Sequence, residues 1–212
     1  TKVNLHWIHS SKLEEQDCQT VLKNIHGIIV APGFGSRGIE GKIKAVQYAR
    51  TKKIPFLGIC LGMQCAVVEF ARNVLKMENA NSIEIDSNTK YPVISMMEEQ
   101  KKLKKMGGTM RLGSFQCDIK KETLLHKIYQ KETISERHRH RFEFNNQYLK
   151  EFESNGLIFS GKNSKNQLME TIEIKDHPWF IGVQYHPEYK STVENPHPIF
   201  LGLIEAGLKK SL

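Results

Sequence analysis

The sequence has few cysteines and no long apolar stretch. Cys18, Cys60, Cys65 and Cys117 show no Cys-x-x-Cys spacing and are too sparse for a secreted disulfide framework. The longest apolar run, residues 54–63, is well short of the ~20 residues that a membrane span needs. The first residues lack the basic, apolar and small-residue order of a signal peptide. We therefore expect a cytoplasmic protein with no membrane partner.

Acidic residues are fewer than basic ones, 23 against 31, which gives a net charge of +8. Such an excess suits nucleic acid, anionic ligands or an ordinary basic surface. Apart from KKLKK at 101–105 and RHRHR at 137–141, the basic residues are dispersed, and no zinc-finger, helix-turn-helix or RNA-recognition signature accompanies them. We therefore expect no nucleic-acid partner, and we interpret residues 98–106 as a solvated loop.

Hydrophobic periodicity indicates an α/β fold. Short apolar runs at 27–31 and 54–59 predict buried strands, and the segments 40–52 and 61–73 that follow them have helical spacing. This alternation predicts an open, mainly parallel central sheet with helices on both faces. No repeat or linker divides the chain, so we expect one domain over residues 1–212. The other predicted elements are strands at 3–8, 137–144, 157–161, 168–174 and 179–184, helices at 14–24 and 197–210, and an irregular region at 79–116.

Two glycine-rich patterns resemble phosphate-binding loops, and both fail on inspection. Gly33, Gly35 and Gly38 form a literal GxGxxG, but no acidic residue ends the next strand, where a dinucleotide site needs one. Gly41-Lys42 has the wrong spacing from the preceding glycine and lacks the Ser or Thr of a P-loop. The glycines still predict a sharply turning loop whose backbone amides are exposed.

A Gly-x-Cys-x-Gly pattern occupies the junction between the second strand and its helix. Gly58 and Gly62 would allow the strained turn that lifts the Cys60 side chain out of the sheet, as in a nucleophile elbow. The amides at the start of the helix, from Leu61 onward, would favour a thiolate. The pentapeptide alone is equally compatible with a small buried cysteine in an apolar strand.

A histidine and a glutamate supply the partners that such a nucleophile needs. His186 and Glu188 follow the apolar strand at 179–184, and residues two apart in an extended segment project to the same side. His186 could accept the thiol proton of Cys60 and later return it, with Glu188 orienting the imidazole. Cys65, inside the helix, is better interpreted as core. The combination favours catalytic over structural roles.

Basic residues alternate between 137 and 141. On a strand, Arg137, Arg139 and Arg141 would share one face, and His138 and His140 the other. The neighbouring arginines disfavour a metal site at the histidines, whereas guanidinium groups suit bidentate capture of a carboxylate or phosphate. A solvated basic edge strand is the alternative.

Five segments together resemble one family. The strings GICLGMQ at 58–64 and HPE at 186–188 resemble the class I, triad-type glutamine amidotransferases. ENANSIE at 78–84, GGTMRLG at 107–113 and ERHRHRFEFN at 136–145 are more narrowly similar to the glutaminase domain of CTP synthases. The resemblance covers about residues 27–207. It implies a flavodoxin-like amidotransferase fold with a small antiparallel section.

The resemblance also implies a reaction. Cys60 would attack the side-chain amide of glutamine, forming a γ-glutamyl thioester and releasing ammonia. His186 would act as base and then as acid, oriented by Glu188. The backbone amides of Gly33 and Leu61 would form the oxyanion hole, which agrees with a glycine-rich first loop.

By the same resemblance, glutamine would be bound by a set of residues around the nucleophile. An acidic side chain suits the ammonium group of the substrate, and a guanidinium suits its carboxylate; these would be Glu84 and Arg141. The full set is Gly33, Leu61, Gly62, Met63, Gln64, Glu84 and Arg141.

Further expectations concern regulation and partners. Arg37 and Arg111 match positions linked to activation by GTP, and residues 107–113 match a lid near the ammonia exit. No metal or cofactor is expected in this domain. ATP and magnesium would serve an amino-terminal synthase domain that aminates UTP to CTP, and the full-length enzyme would be a homotetramer.

One departure and two alternatives accompany the resemblance. Pro32 stands where the family has a glycine and removes one amide, which predicts a stiffer loop with the Gly33 donor kept. The domain could instead serve another synthetase. It could also be a non-catalytic module that senses glutamine or a nucleotide.

Overall fold

The computed structural model describes residues 2–96 and 110–212. None of the helices within these two ranges has the length and apolar character required to cross a bilayer. The described helices are α1 (Lys12–Glu15), α2 (Cys18–Val21), α3 (Ile39–Lys52), α4 (Leu61–Asn73), α5 (Leu124–Tyr129), α6 (Leu149–Ser154) and α7 (Pro198–Ser211), with 3-10 turns at Asn146–Tyr148 and Pro187–Lys190. The described strands are β1 (Ile28–Val30), β2 (Phe56–Ile59), β3 (Asn81–Ser82), β4 (Pro92–Met96), β5 (Arg111–Ile119), β6 (Thr133–His140), β7 (Phe142–Phe144), β8 (Leu157–Asn163), β9 (Leu168–Ile174) and β10 (Phe180–Val183).

Seven of the described strands form the main sheet, in the order β1-β2-β10-β9-β8-β5-β6. The first three are parallel to one another, and every later pairing is antiparallel. Strands β3, β4 and β7 form a second, small sheet. The predicted α/β class, with parallel strands and an antiparallel section, is therefore confirmed, and the antiparallel section is larger than the small one expected.

Side chains alternate across the central strands and build one core on each face of the main sheet. Phe56 of β2 and Phe180 of β10 stack at a centroid distance of 4.3 Å within the core that includes α3 and α4. Leu57 and Ile181, their neighbours in sequence, point the other way and pack with residues of α5 and α7. Helices therefore cover both faces, as the sequence predicts.

Helix α4 is buried along almost its whole length. It packs on β2 and β10 of the main sheet, on α3, and on β4 of the small sheet. Burial on all sides is typical of a helix in this central position. Because α4 begins directly after β2, its amino terminus lies at the carboxyl edge of the parallel strands.

Several predicted elements differ from the structure. Residues 3–8 form no strand, because nothing in the described chain pairs with them, and Trp7 is 91% exposed. The helix predicted at 14–24 is two short helices, α1 and α2. The strand predicted at 137–144 breaks at Arg141, where the chain passes from β6 in the main sheet to β7 in the small one. Strand β5 and helix α5 were not predicted.

Candidate active site

Cys60 lies on the sharp turn that the glycine pattern predicts. Its φ of 50° and ψ of −102° are unusual for a residue with a side chain. The turn is held by a 2.7 Å hydrogen bond from the Cys60 amide to the carbonyl of Val183 on β10. A Cβ at Gly62 would lie 2.1 Å from the Val30 carbonyl oxygen, and one at Gly58 would lie 2.7 Å from the Gly62 backbone. Only glycine fits at either position.

The Cys60 sulfur is buried and surrounded by polar groups. The Leu61 amide, at the start of α4, donates a hydrogen bond to the sulfur. The side-chain Nε2 of Gln184 lies 3.6 Å from it. The Arg139 carbonyl oxygen, 4.0 Å away, can accept the thiol proton. The sulfur therefore has donors for its anionic form and an acceptor for its neutral form.

The thiol of Cys60 is protonated at neutral pH in this environment. Burial raises its pKa to about 12. The Leu61 amide lowers the pKa, the carboxylates of Glu188 and Glu84 raise it, and Gln184 lowers it. A nucleophile with so high a pKa needs a base that removes its proton during attack.

His186 is the residue that the sequence predicts as this base. It follows β10, and Cys60 follows the neighbouring parallel strand β2, so both lie at one edge of the sheet. The His186 Nδ1 lies 2.7 Å from Glu188 Oε1, and the backbone amide of His186 donates a hydrogen bond to the Arg137 carbonyl. Within the described residues, His186 Nε2 is buried and has no hydrogen-bond partner. Since Nδ1 carries the proton that the carboxylate accepts, Nε2 offers a lone pair.

A turn, rather than an extended segment, brings Glu188 to the imidazole. Pro187 begins the 3-10 turn Pro187–Lys190, which folds Glu188 back onto Nδ1. The pairing of His186 with Glu188 is present, but the strand geometry that we expected to produce it is wrong. Proline favours this start of a turn because its φ is fixed and its nitrogen has no hydrogen to lose.

A cavity of about 230 Å³ opens at the sulfur. Two clefts of about 600 Å³ lie elsewhere in the described structure, and neither is lined by Cys60 or His186. Of the residues expected to bind glutamine, Met63 is fully buried in the core and Gly62 packs against Val30, so neither lines the cavity. The lining residues are Gly33, Phe34, Cys60, Leu61, Gln64, Glu84, Met110, His140, Arg141 and Phe142.

The cavity carries one acidic and one basic side chain. Burial raises the pKa of Glu84, while the Gly35 amide and the nearby Arg141 guanidinium oppose that rise. Glu84 follows β3, and Arg141 occupies the break between β6 and β7, so the small sheet brings both to the cavity. A carboxylate and a guanidinium at one end of a cavity complement the two charges of an α-amino acid.

Gly33 and Leu61, the expected oxyanion donors, both line the cavity. A Cβ at Gly33 would lie 3.4 Å from Leu61 Cδ2 and 3.3 Å from Lys42 Nζ, so the loop passes close to the start of α4. Leu61 is the first residue of a 13-residue helix, whose amino terminus favours negative charge. The oxyanion role of the two amides stays a prediction.

Arg37 and Arg111, which we expected to respond to GTP, lie in different environments. Arg37 is exposed on the glycine-rich loop. Arg111 is buried, with its Nη1 2.7 Å from Glu170 Oε1 and its guanidinium 4.3 Å from the Phe115 ring. Direct contact between Arg111 and a nucleotide would first require this ion pair to break. Residues 98–106 and the first half of the expected lid, 107–109, lie outside the described residues.

The alternating arginines and histidines at 137–141 do not all keep the alternating faces of a single strand. Arg137 and Arg139 are exposed, but Arg141 leaves the strand and turns to the cavity, so the expectation that the three share a face is wrong. His138 and His140 are buried with 3.0 Å between His138 Nδ1 and His140 Nε2. No group of three His, Cys, Asp or Glu in residues 2–96 and 110–212 is placed to hold a metal.

Comparison with known proteins places this chain in a family. The model of the class-I glutamine amidotransferases matches residues 1–206. The chain belongs to this family. Among curated relatives, the CTP synthase of Christiangramia forsetii is 52% identical over 99% of the chain, and that of Chlorobium phaeobacteroides is 56% identical over 97%. The chain spans only 38% and 37%, respectively, of the length of those two proteins.

A solved structure narrows the assignment of this amidotransferase. The glutaminase domain of Trypanosoma brucei CTPS, solved with bound acivicin, superposes with a TM-score of 0.91 and 34% identity. The match covers 99% of this chain and 82% of that one. The amidotransferase is therefore of the type found as the glutaminase domain of CTP synthase.

Sequence reasoning missed Gln184 as a neighbour of the amidotransferase's sulfur. A signal was available, since Gln184 lies two residues before His186 at the end of an apolar strand. It also missed Phe34, Met110, His140 and Phe142 in the cavity lining, because these come from segments that only the two sheets bring together.

Proposed function

We propose that this domain hydrolyses glutamine to glutamate and ammonia through a thioester on Cys60. The observation that carries the proposal is the cavity at the Cys60 sulfur, which joins a strained nucleophile turn to a carboxylate and a guanidinium. A structural cysteine would need none of these features. The buried His186, hydrogen-bonded to the exposed Glu188 at the same edge of the sheet, supplies the base.

One end of the cavity binds the two charged groups of the substrate, and the other end lies at the Cys60 sulfur. The α-ammonium group of glutamine pairs with Glu84, and the α-carboxylate pairs with Arg141. The side-chain amide then extends toward Cys60, between Gly33 and Leu61. These contacts select an α-amino acid whose side chain ends in an amide.

Attack couples proton transfer to bond formation. His186 Nε2 takes the thiol proton as the Cys60 sulfur bonds to the amide carbon of glutamine, and the amides of Leu61 and Gly33 stabilise the oxyanion. The imidazolium, held by Glu188, protonates the departing amino group. The carbon–nitrogen bond breaks, ammonia leaves and the γ-glutamyl thioester remains.

Hydrolysis regenerates the enzyme. His186 removes a proton from a water molecule, whose oxygen attacks the thioester carbon. The second tetrahedral intermediate collapses with the thiolate of Cys60 as leaving group, and the imidazolium returns a proton to sulfur. Glutamate leaves, and the two steps together consume one water molecule.

The proposed use of the ammonia is based on the relatives of this domain and not on the structure of the domain itself. Those named CTP synthase are more than twice as long as the chain, which leaves room for a separate synthase domain. We propose that such a domain, as the partner of this one, uses ATP and magnesium to aminate UTP to CTP, in a homotetramer activated by GTP. A mixture of full-length protein, UTP, ATP and glutamine that yields no CTP would favour another synthetase.

The test is covalent labelling with 6-diazo-5-oxonorleucine, a glutamine analogue with an electrophilic diazoketone. We expect one adduct per chain by intact mass, located on Cys60 by peptide mapping and prevented by excess glutamine. Cys60→Ala should abolish the adduct, whereas Cys65→Ala, a matched change inside α4, should not. Lack of an adduct on the folded protein, or an adduct that glutamine fails to block, would contradict the proposal.

A further inference from the structure

Gln184 contacts the nucleophile but has no role in the reaction outlined above. It follows β10 directly and is 1% exposed. The β2–β10 register pairs Ile59 with Val183, so the next residues, Cys60 and Gln184, are neighbours across the two strands. The backbone amide of Gln184 donates a 2.8 Å hydrogen bond to the Glu170 carbonyl, which fixes the backbone at this position.

A chain of hydrogen bonds fixes the orientation of the Gln184 side chain. It starts at the Phe142 carbonyl, which can only accept hydrogen bonds. This carbonyl accepts one from Gln64 Nε2 at 2.9 Å. The same amino group of Gln64 lies 3.2 Å from Gln184 Oε1. Because Gln184 Oε1 accepts there, its amino group must face the Cys60 sulfur, at 3.6 Å.

The opposite orientation of Gln184 would leave several groups unsatisfied. Its amino group would then face the amino group of Gln64, and neither of these two donors could accept a hydrogen bond from the other. Buried amides that face each other without an acceptor are strongly disfavoured. The Phe142 carbonyl also accepts a 3.1 Å hydrogen bond from His140 Nδ1. This second contact fixes the carbonyl at which the series of hydrogen bonds starts.

Gln64 lines the cavity, where we expected it to bind glutamine, and it also contacts Gln184. Both hydrogens of its amino group are committed, one to Phe142 and one to Gln184. Gln64 is 4% exposed, although it lines the cavity. Its contacts therefore orient Gln184.

Building on the proposed function, we propose that Gln184 is a further catalytic residue, which donates a hydrogen bond to the Cys60 thiolate, and that Gln64 positions it. Negative charge develops on the sulfur twice in the reaction, as the thiol loses its proton during attack and when the thiolate leaves the second tetrahedral intermediate. A hydrogen bond to an ionised group is stronger than one to its neutral form. Gln184 therefore stabilises the sulfur most when it is charged, which lowers the barrier at both steps.

The experiment measures thiolate formation without glutamine. Alkylation of Cys60 by iodoacetamide, followed by peptide mapping between pH 7 and 10, reports the thiolate fraction. Gln184→Met keeps the length of the side chain and removes its donor. We expect alkylation to slow by roughly tenfold at every pH in this range, as for a thiol pKa raised by about one unit. Gln147→Met, the same change at an exposed site, should alkylate like the parent.

Two further variants separate direct from indirect effects. Gln184→Glu is nearly isosteric and replaces the donor with an acceptor, so it should slow alkylation at least as much as Gln184→Met. It replaces Gln184→Met in the experiment if that variant does not fold. Gln64→Leu should slow alkylation through Gln184. The double variant Gln64→Leu/Gln184→Met should then be no slower than Gln184→Met alone.

The outcomes are distinct from those of the labelling test. Unchanged alkylation in folded Gln184→Met or Gln184→Glu would overturn the role of Gln184, and additive effects in the double variant would overturn the positioning role of Gln64. In glutaminase assays we expect kcat to fall at nearly constant KM, and a rise in KM alone would contradict the proposal. Because iodoacetamide needs no glutamine pocket, failure of the proposed glutaminase activity would leave this test intact.

Discussion

His186 Nδ1 lies 2.7 Å from Glu188 Oε1, and this hydrogen bond decides which nitrogen of the imidazole is left without a hydrogen. The carboxylate accepts the proton on Nδ1, so the lone pair is on Nε2. Glu188 is exposed, whereas His186 is buried, and the side chain of Tyr189 stacks on the ring. The orientation of the imidazole therefore depends on one short contact at the surface.

Replacement of Glu188 by glutamine should impair glutamine hydrolysis without disturbing the fold. The glutamine amide can donate to Nδ1, which would move the imidazole proton to Nε2 and remove the base. We expect kcat to fall by roughly 10⁴-fold, as when a triad carboxylate is replaced by its amide. Ammonia release at saturating glutamine measures this effect, with the exposed Glu194→Gln as control. A change of less than tenfold would show that Glu188 does not set the tautomer.

Replacement of Gly62 by alanine should destabilise the protein, because the new Cβ would lie 2.1 Å from the Val30 carbonyl oxygen. Backbone must move to relieve such a clash, and we expect a loss of about 3 kcal/mol in the free energy of unfolding. Gly27→Ala is the matched control, since its Cβ would meet only ordinary contacts at 3.6 Å and beyond. Urea denaturation compares them, and equal stability of the two variants would refute the clash.

Glu170 should make stability fall as the pH rises from about 4.5 to 7. Burial raises its pKa to about 7, and the nearby Arg111 opposes the rise. In this window the folded protein keeps the Glu170 proton and the unfolded chain releases it, so a higher pH favours unfolding. The full effect is at most roughly 3 to 4 kcal/mol, since the pKa rises from 4.5 to about 7 and each pKa unit corresponds to about 1.4 kcal/mol.

The measurement for Glu170 is the unfolding free energy from urea titrations at several pH values. Glu170→Gln cannot titrate and should show a flatter slope between pH 4.5 and 7 than the parent. Glu205→Gln, at an exposed position on α7, should keep the parental slope. Parallel curves for the parent and Glu170→Gln would mean that Glu170 is ionised throughout this range.

Local patterns were sufficient to predict the nucleophile turn and much of the parallel core. Helix α4 begins and ends where its apolar spacing predicts, at Leu61 and Asn73. The turn at Cys60 follows from Gly58 and Gly62, whose close contacts lie within a few residues or on the next strand. Such features depend on steric and hydrophobic preferences that the neighbouring sequence carries.

Features that depend on strand pairing could not be predicted in this way. The segment at 137–144 alternates as one strand would, but β6 pairs with β5 in one sheet and β7 pairs with β4 in another. Arg141 lies at the break and so faces the cavity rather than solvent. Arg111 is the first residue of β5, a strand that was not predicted, and its buried guanidinium forms an ion pair with Glu170 of β9.

The sequence alone therefore determined the α/β class, the family resemblance and the identity of Cys60, His186 and Glu188 as candidates, because each depends on residues close together in the chain. Only the tertiary structure decided what surrounds the sulfur. The β2–β10 register brings Gln184 beside Cys60, although 124 positions separate them, and Gln64 and Phe142 orient its amide. Hydrogen bonds between distant segments depend on how strands pair, and that pairing is a property of the whole fold.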